Sequence, residues 1–368
     1  MSSASRNEYT PENVSPPGTS LADLLDERSL SQRELAKRMG RPTKTINEII
    51  KGKTAITQDT ALALELAVGV PASFWNAREA RYREHLARAE QRQEMGLHAD
   101  WVRLFPYAEM AALGWVAASS RVAEKAHELL KFFSIAKPEQ WGEVYEQPQA
   151  SFRRSPKVKG KAAPISAWLR RGEIQAEAIR ADTYDAERFR AALPALRAMT
   201  LTPDPKEFVR SLRNACAKVG VVVVFTHELK GCGVSGATRW LSSDHPLIQL
   251  SLRYKTDDHL WFTFFHEVGH VLLHPKKRTV FLDADGGTGS PEQDEANRFA
   301  ANTLIELTAL KAFVSAGVFT ADAIRVFAAA QGVSAGIVVG RLQHDRILPF
   351  GHHERLKAHF TWPNRIDG

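Results

Sequence analysis

The sequence predicts an α+β protein that is predominantly helical. An all-α N-terminal domain and a helical spacer precede a C-terminal domain with a small sheet packed on a histidine-bearing helix. Three observations carry this. Short capped helices follow one another after the N-terminus, a β-branched run (Val221 to Phe225) appears only after Val219, and helical texture returns from about Leu260. The boundaries drawn are 1–18 for a flexible leader, 19–95 for the first domain, 96–215 for the spacer, 216–345 for the last domain and 346–368 for a tail.

Composition bounds the answer. With 368 residues, 44% hydrophobic and 25% charged, the chain has ordinary globular composition, which excludes a collagen, a mucin or a wholly disordered protein. Cys216 and Cys232 are too few for a disulfide scaffold or a Cys-rich zinc finger, so they are expected as buried thiols in a cytoplasmic protein. The N-terminal stretch has no apolar core of a secretory signal. No run approaches the roughly 18 apolar residues of a membrane span. The net charge of +7 points to nucleic acid only if it is concentrated.

It is concentrated first near the N-terminus. Ser20 with Asp23 reads as a capped start, and Ser31 with Glu34 as a capping box for a helix stopping at Gly40. Pro42 opens the next helix, which carries Ile46, Ile49 and Ile50 inward and ends at Gly52. Thr57 caps a fourth helix that ends at Gly69. Two short helices around a glycine turn make a helix-turn-helix. Residues 31–53 hold seven basic and two acidic side chains, a net +5. The second helix is expected in the major groove of double-stranded operator DNA, exposing Thr43, Lys44, Thr45 and Asn47. Lys44 and Lys51 are candidates for phosphate, Thr45 or Asn47 for base edges, and Gln32 for a further phosphate contact. Such domains read two half-sites, so a homodimer is expected.

The sharpest chemical signal is HEVGH, His266 to His270. On a helix, positions four apart share a face, so His266 and His270 can bind one Zn2+. Glu267 beside them can take a proton from metal-bound water. The surrounding Phe262, Phe264, Phe265, Val268, Val271 and Leu272 make the helix apolar nearly all round, and a buried helix does not carry such groups without partners. A third ligand is needed. Glu295, beside the apolar face (Ala296, Phe299, Ala300) of a helix beginning near Pro291, is the candidate. His274, beside Pro275 at the helix end, is the rival, while Glu292 and Asp294 lie where the helix dipole alone favours carboxylates. The alternating stretch Leu247 to Tyr254 reads as a half-buried strand, either an edge that could hold an extended substrate or, equally, a wholly paired core strand. Arg239, Trp240 and His245 are candidates for lining the cleft, with structural roles the commoner outcome. A second basic cluster, residues 151–180, carries a net +6, eight basic against two acidic side chains, and reads as a solvated loop.

Two resemblances add to this. The segment Pro16 to Tyr82, with LSQRELAKRMG, the GK-x-x-IT turn from Gly52 and the SFW of its last helix, resembles the DNA-binding domain of HigA-type antitoxins in the XRE helix-turn-helix family. Pro42 departs from that family's usual serine-like cap. The segment Val219 to Arg341, with GVVVVF, F-T-x-x-H-E-x-G-H-x-L-L-H, DEANRFA and QGVSAGIVVGRL, resembles the ImmA/IrrE zinc metallopeptidases. That likeness implies a zincin-like domain, zinc ligands on His266, His270 and Glu295, and a catalytic Glu267. It implies a regulator that cuts a repressor or toxin-like partner under stress or in a mobile-element circuit. The alternative is a HigA-like antitoxin and autorepressor whose zinc domain is structural or sensory.

Overall fold

The computed structural model describes residues 14–146, 162–251, 253, 255–274, 281–284 and 290–360. Most of the leader, the basic residues Arg153, Arg154, Lys157, Lys159 and Lys161, the strand end at Leu252 and Tyr254, Pro275, and residues 361–368 lie outside these. The chain forms two compact units, Met1–Leu97 and His98–Gly368.

The described residues of the first unit form five helices: α1 (Pro17–Glu27), α2 (Gln32–Arg38), α3 (Thr43–Ile50), α4 (Gln58–Val68) and α5 (Ala72–Met95). The start of α1 differs from expectation. Pro17, whose ring presets a helical φ, opens the helix three residues before Ser20, which lies inside it and caps nothing. The other caps form as read: Ser31 Oγ accepts from the Glu34 amide at 3.1 Å, and Thr57 Oγ1 from the Thr60 amide at 3.3 Å. Leu21, Leu25, Leu35, Ile46, Ile49, Leu64 and Trp75 make one buried core. Gly18 lets α1 cross α3 closely, since a Cβ there would stand 2.1 Å from the Ile49 carbonyl oxygen.

The second unit opens with α6 (Ala99–Arg103), α7 (Tyr107–Ala112), α8 (Val122–Phe133) and a short α9 (Glu139–Trp141). Then come α10 (Ala162–Glu177), α11 (Ala186–Ala198) and α12 (Pro205–Ala217). Strands β1 (Val222–Thr226), β2 (Val234–Ser242) and β3 (His245–Ser251) lead into α13 (Asp257–Leu273). After it come β4 (Phe281–Ala284), α14 (Pro291–Leu304), α15 (Leu307–Ala316), α16 (Ala321–Gln331) and α17 (Ala335–His344). The sheet order is β1-β3-β2-β4, with β1 parallel to β3 and the other pairs antiparallel.

Both faces of this sheet are covered. Val223, Phe225, Ile248 and Leu250 join the core with α12 and α13, whereas Val222, Val224 and Leu247 pack with Ala176 of α10. Within its described residues 247–251, the strand expected as half-buried is therefore buried on both sides. Its polar alternate, Gln249, is wholly buried beneath α10, where its amide donates to the Trp168 carbonyl at 2.7 Å. Of the two alternatives for this strand, the paired one holds: β3 is an interior strand between β1 and β2. Gly236 lies within β2. Cys216 and Cys232 are buried free thiols. Among the described residues no single helix is long and apolar enough to cross a membrane.

The N-terminus of α13 is fixed by polar contacts to later parts of the chain. Asp257 accepts from the Ser334 hydroxyl at 2.6 Å and the Ala358 amide at 3.1 Å, and Asp258 pairs with Lys357 at 3.0 Å. Gly336 and Gly340 of α17 leave room for these carboxylates, since a Cβ at either would stand 2.3 Å or 2.5 Å from them. The histidine helix is thus held at its origin before any site chemistry is considered.

Candidate metal centre and nucleic-acid interface

Helix α13 lies against the sheet on one side and α14 on another, and His266, Glu267 and His270 are all buried. Gly269 permits the close crossing of α14: a Cβ there would stand 3.1 Å from Ala296 Cα. The turn spacing brings the two imidazoles together, with their Nε2 atoms 3.0 Å apart. Two imidazole nitrogens on one tetrahedral zinc stand about 3.3 Å apart, from bond lengths of ~2.0–2.1 Å, so a small parting of the rings would admit a metal ion.

The other ring nitrogens are also engaged. His266 Nδ1 donates to Asn297 Oδ1 at 2.9 Å, which turns its Nε2 lone pair towards His270. His270 Nδ1 meets His274 Nδ1 at 3.2 Å. Burial pushes the His270 imidazole down to about 2, and His266 and His274 push the same way, so the ring stays neutral, as a ligand must be. Asn297 escapes sequence reasoning. The signal that could have found it is its place on the inward face of α14, with Ala296 and Ala300.

Glu267 points to β2. The Thr238 hydroxyl donates to Glu267 Oε2 at 2.6 Å, and Gly236 makes room, since a Cβ there would stand 2.6 Å from Oε1. Strand β4 pairs along the same part of β2, from Val234 to Thr238. Its Phe281 lies face to face on His270, ring centres 4.1 Å apart and planes 12° from parallel.

The expected third ligand is placed elsewhere. Glu295 is half exposed, and its Oε2 lies 3.0 Å from His274 Nε2. Among the described residues, no three His, Cys, Asp or Glu side chains converge as a metal site. The histidine pair fits a metal ion; the set His266, His270 and Glu295 does not close around one. His274, the rival, faces the Nδ1 side of His270 rather than the shared Nε2 side. Of the other candidates, Arg239 is buried against Glu173 at 2.6 Å and the Leu169 carbonyl, Trp240 packs edge-on against Tyr184, and His245 bonds Ser242 and Asp244. Each is held by structural partners.

In the first unit, Thr43 and Lys44 of α3 and Lys51 just past its end are exposed, with Thr45 and Asn47 partly so. Gln32 and Asn47 form one unit, the Asn47 amide donating to Gln32 Oε1 at 3.3 Å. Lys44 reaches Glu48 at 3.9 Å, an exposed contact that leaves its charge to solvent. At ~100° per residue Thr43, Lys44, Asn47 and Lys51 fall on one side of α3, Thr45 lies about 100° beyond Lys44, and Gln32 meets Asn47 from the start of α2.

Comparison with known proteins finds a family model at each end of the chain. Residues 21–75 match the helix-turn-helix family model, and residues 216–343 match that of the IrrE N-terminal-like domain, Peptidase M78. One similar solved structure is of a protein from Nostoc punctiforme PCC 73102, assigned as an antidote protein of a plasmid maintenance system. It is 29% identical over 22% of this chain and 88% of that one, with a TM-score of 0.21. Another, from Coxiella burnetii, is an addiction module antidote protein of a HigA family. It is 28% identical over 23% of this chain and 91% of that one, also with a TM-score of 0.21. No curated protein matches the chain. The chain therefore joins an XRE-type helix-turn-helix domain at its N-terminus to an IrrE N-terminal-like domain of the Peptidase M78 type at its C-terminus.

Proposed function

We propose that this protein is a DNA-binding transcriptional regulator whose C-terminal domain is a zinc-dependent endopeptidase acting on a protein partner, a repressor or toxin-like protein. The observation that carries the reading is the buried His266–His270 pair, Nε2 atoms 3.0 Å apart with Glu267 between them in sequence, inside a domain matching a peptidase family. The chemistry a bound zinc ion supplies is polarisation of water and of a peptide carbonyl. The chain's own part is to hold His266 in one tautomer through Asn297 and to anchor Glu267, the proposed proton acceptor, on Thr238. The protein is proposed to work in the cytoplasm as a homodimer, with Lys44, Lys51, Thr43, Thr45, Asn47 and Gln32 facing operator DNA.

Glu267→Gln is the test. The variant should keep operator binding and lose cleavage of regulators encoded nearby. Equal processing of every such protein by parent and variant would end the peptidase reading. Undiminished operator binding by Lys44→Ala with Asn47→Ala would end the assignment of α3.

One observation favours a second reading, that of an autorepressor whose C-terminal domain is structural or sensory. The third carboxylate sits on His274, and Phe281 covers the His270 ring. Under that reading Glu267→Gln changes operator affinity or its response to zinc and changes no proteolysis.

A further inference from the structure

A third histidine, His274, stands just past the end of α13, one turn beyond the pair, and is buried. Its Nδ1 lies 3.2 Å from His270 Nδ1, and its Nε2 lies 3.0 Å from Glu295 Oε2 on α14. Phe281 of β4 flanks both rings, its centre 4.1 Å from that of His270 and 5.5 Å from that of His274. The other arm is shorter: His266 Nδ1 donates directly to Asn297 Oδ1. These contacts fix where the protons sit. A neutral imidazole carries one proton on its two nitrogens. For His266 and His270 to turn their Nε2 lone pairs on one cation, each must keep its proton at Nδ1. His266 places it on the Asn297 oxygen, and His270 places it on His274 Nδ1. His274 then holds its own proton at Nε2, where the carboxylate of Glu295, an acceptor only, receives it. With neutral rings and these bonds kept, no other assignment leaves both Nε2 lone pairs free.

We infer that Glu295 serves the histidine pair through His274, as the terminal acceptor of a relay that aims His270 Nε2 at the metal, and that neither Glu295 nor His274 touches the ion. Both are positioning residues. The two arms differ in charge. His266 leans on a neutral amide, whereas His270 leans, one ring removed, on a carboxylate, which makes its Nε2 the stronger donor to a cation. The relay also accounts for the place of Glu295. Its carboxylate is half exposed and keeps its water, while the buried His274 ring carries the hydrogen bond inward in its stead. This rests on the histidine pair being the metal site, and the experiment separates the two.

The test is Zn2+ affinity of the metal-free full chain, measured by competition with a chromophoric chelator, together with imidazole nitrogen NMR of the Zn2+-loaded chain. His274→Ala and Glu295→Ala should each weaken binding by about 10–100-fold. His274→Asn, whose side-chain oxygen offers an acceptor near the place of Nδ1, should recover most of that loss. The NMR spectrum should show His274 neutral, free of metal, with its proton on Nε2. Co2+ visible bands should match the parent's in His274→Asn and Glu295→Ala, because neither removes a ligand. Altered bands in either variant, or weakened binding in Glu295→Ala alone, mean direct coordination and overturn the relay. So does parent-like affinity in both alanine variants, or a His274 proton found on Nδ1. No Zn2+ binding by the parent, or binding unchanged in His266→Ala with His270→Ala, ends the metal reading and the relay with it. Should His274→Ala fail to fold, the His274 proton position in the parent decides: Nε2 supports the relay and Nδ1 overturns it.

Discussion

Thr238→Val tests how Glu267 is held. The Thr238 hydroxyl donates to Glu267 Oε2 at 2.6 Å and lies 3.1 Å from the Glu267 carbonyl oxygen, with both residues buried. Valine keeps the shape and β-strand preference of threonine and removes only the donor, so packing changes little. What is lost is a short bond to a buried carboxyl oxygen, and depriving a buried acceptor of its donor costs about 1–3 kcal/mol. Urea unfolding, followed by circular dichroism and tryptophan fluorescence, should show a lower midpoint with an unchanged slope, the mark of lost stability without altered surface exposure. Thr238→Ser restores the hydroxyl and should recover most of the loss. A loss below about 0.5 kcal/mol in the valine variant, the level of an ordinary surface change, would refute the anchoring argument. So would a serine variant as unstable as the valine one.

Asn297→Ala should weaken Zn2+ binding by about 10–100-fold, because His266 loses the acceptor that sets its tautomer; chelator competition reads it. The metal-free protein should lose stability in acid. An ordinary histidine near 6.5 takes up a proton in the unfolded chain that His270, held at about 2, refuses in the folded one. Stability contributed by that group is complete above 6.5 and falls by about 1.4 kcal/mol per pH unit below it, so His270→Gln should flatten the acid limb of a stability–pH profile. Gly18→Ala drives a Cβ against the Ile49 carbonyl and should cost near the upper end of about 1–3 kcal/mol, with operator affinity falling as α3 shifts; a urea midpoint and a DNA titration check both.

Where local chemistry decides the outcome, the sequence was readable. Ser31 and Thr57 cap as expected because the capping bond spans only three residues, and the HEVGH spacing brings its imidazoles together because one helical turn is enough. Where the partner is distant in sequence, it was not. The alternation in Leu247 to Ser251 reads as one wet face, yet α10 arrives from residues 162–177 to cover it and to bond Gln249. Likewise the residues of β3 leave open whether it is an edge or an interior strand, because neither the pairing with β1 nor that with β2 leaves a mark in the strand itself.

The third ligand shows the same limit at finer scale. In PEQDEANRFAANTL the small and apolar residues Ala296, Phe299, Ala300 and Leu304 span a broad arc, and a broad arc tolerates two phases of the helix. In one phase Glu295 borders the buried face; in the other Gln293 and Asn297 do. Propensity cannot choose between them, because the same residues form the helix in both. Gly269 chooses, since the only place where α14 can come close to α13 is opposite the missing side chain, and Ala296 is what fits there. Once that crossing is set, Asn297 must meet His266 and Glu295 must turn towards His274. The contacts of Asn297 and Glu295 are therefore set by a glycine on the other helix, which the local pattern of α14 does not show.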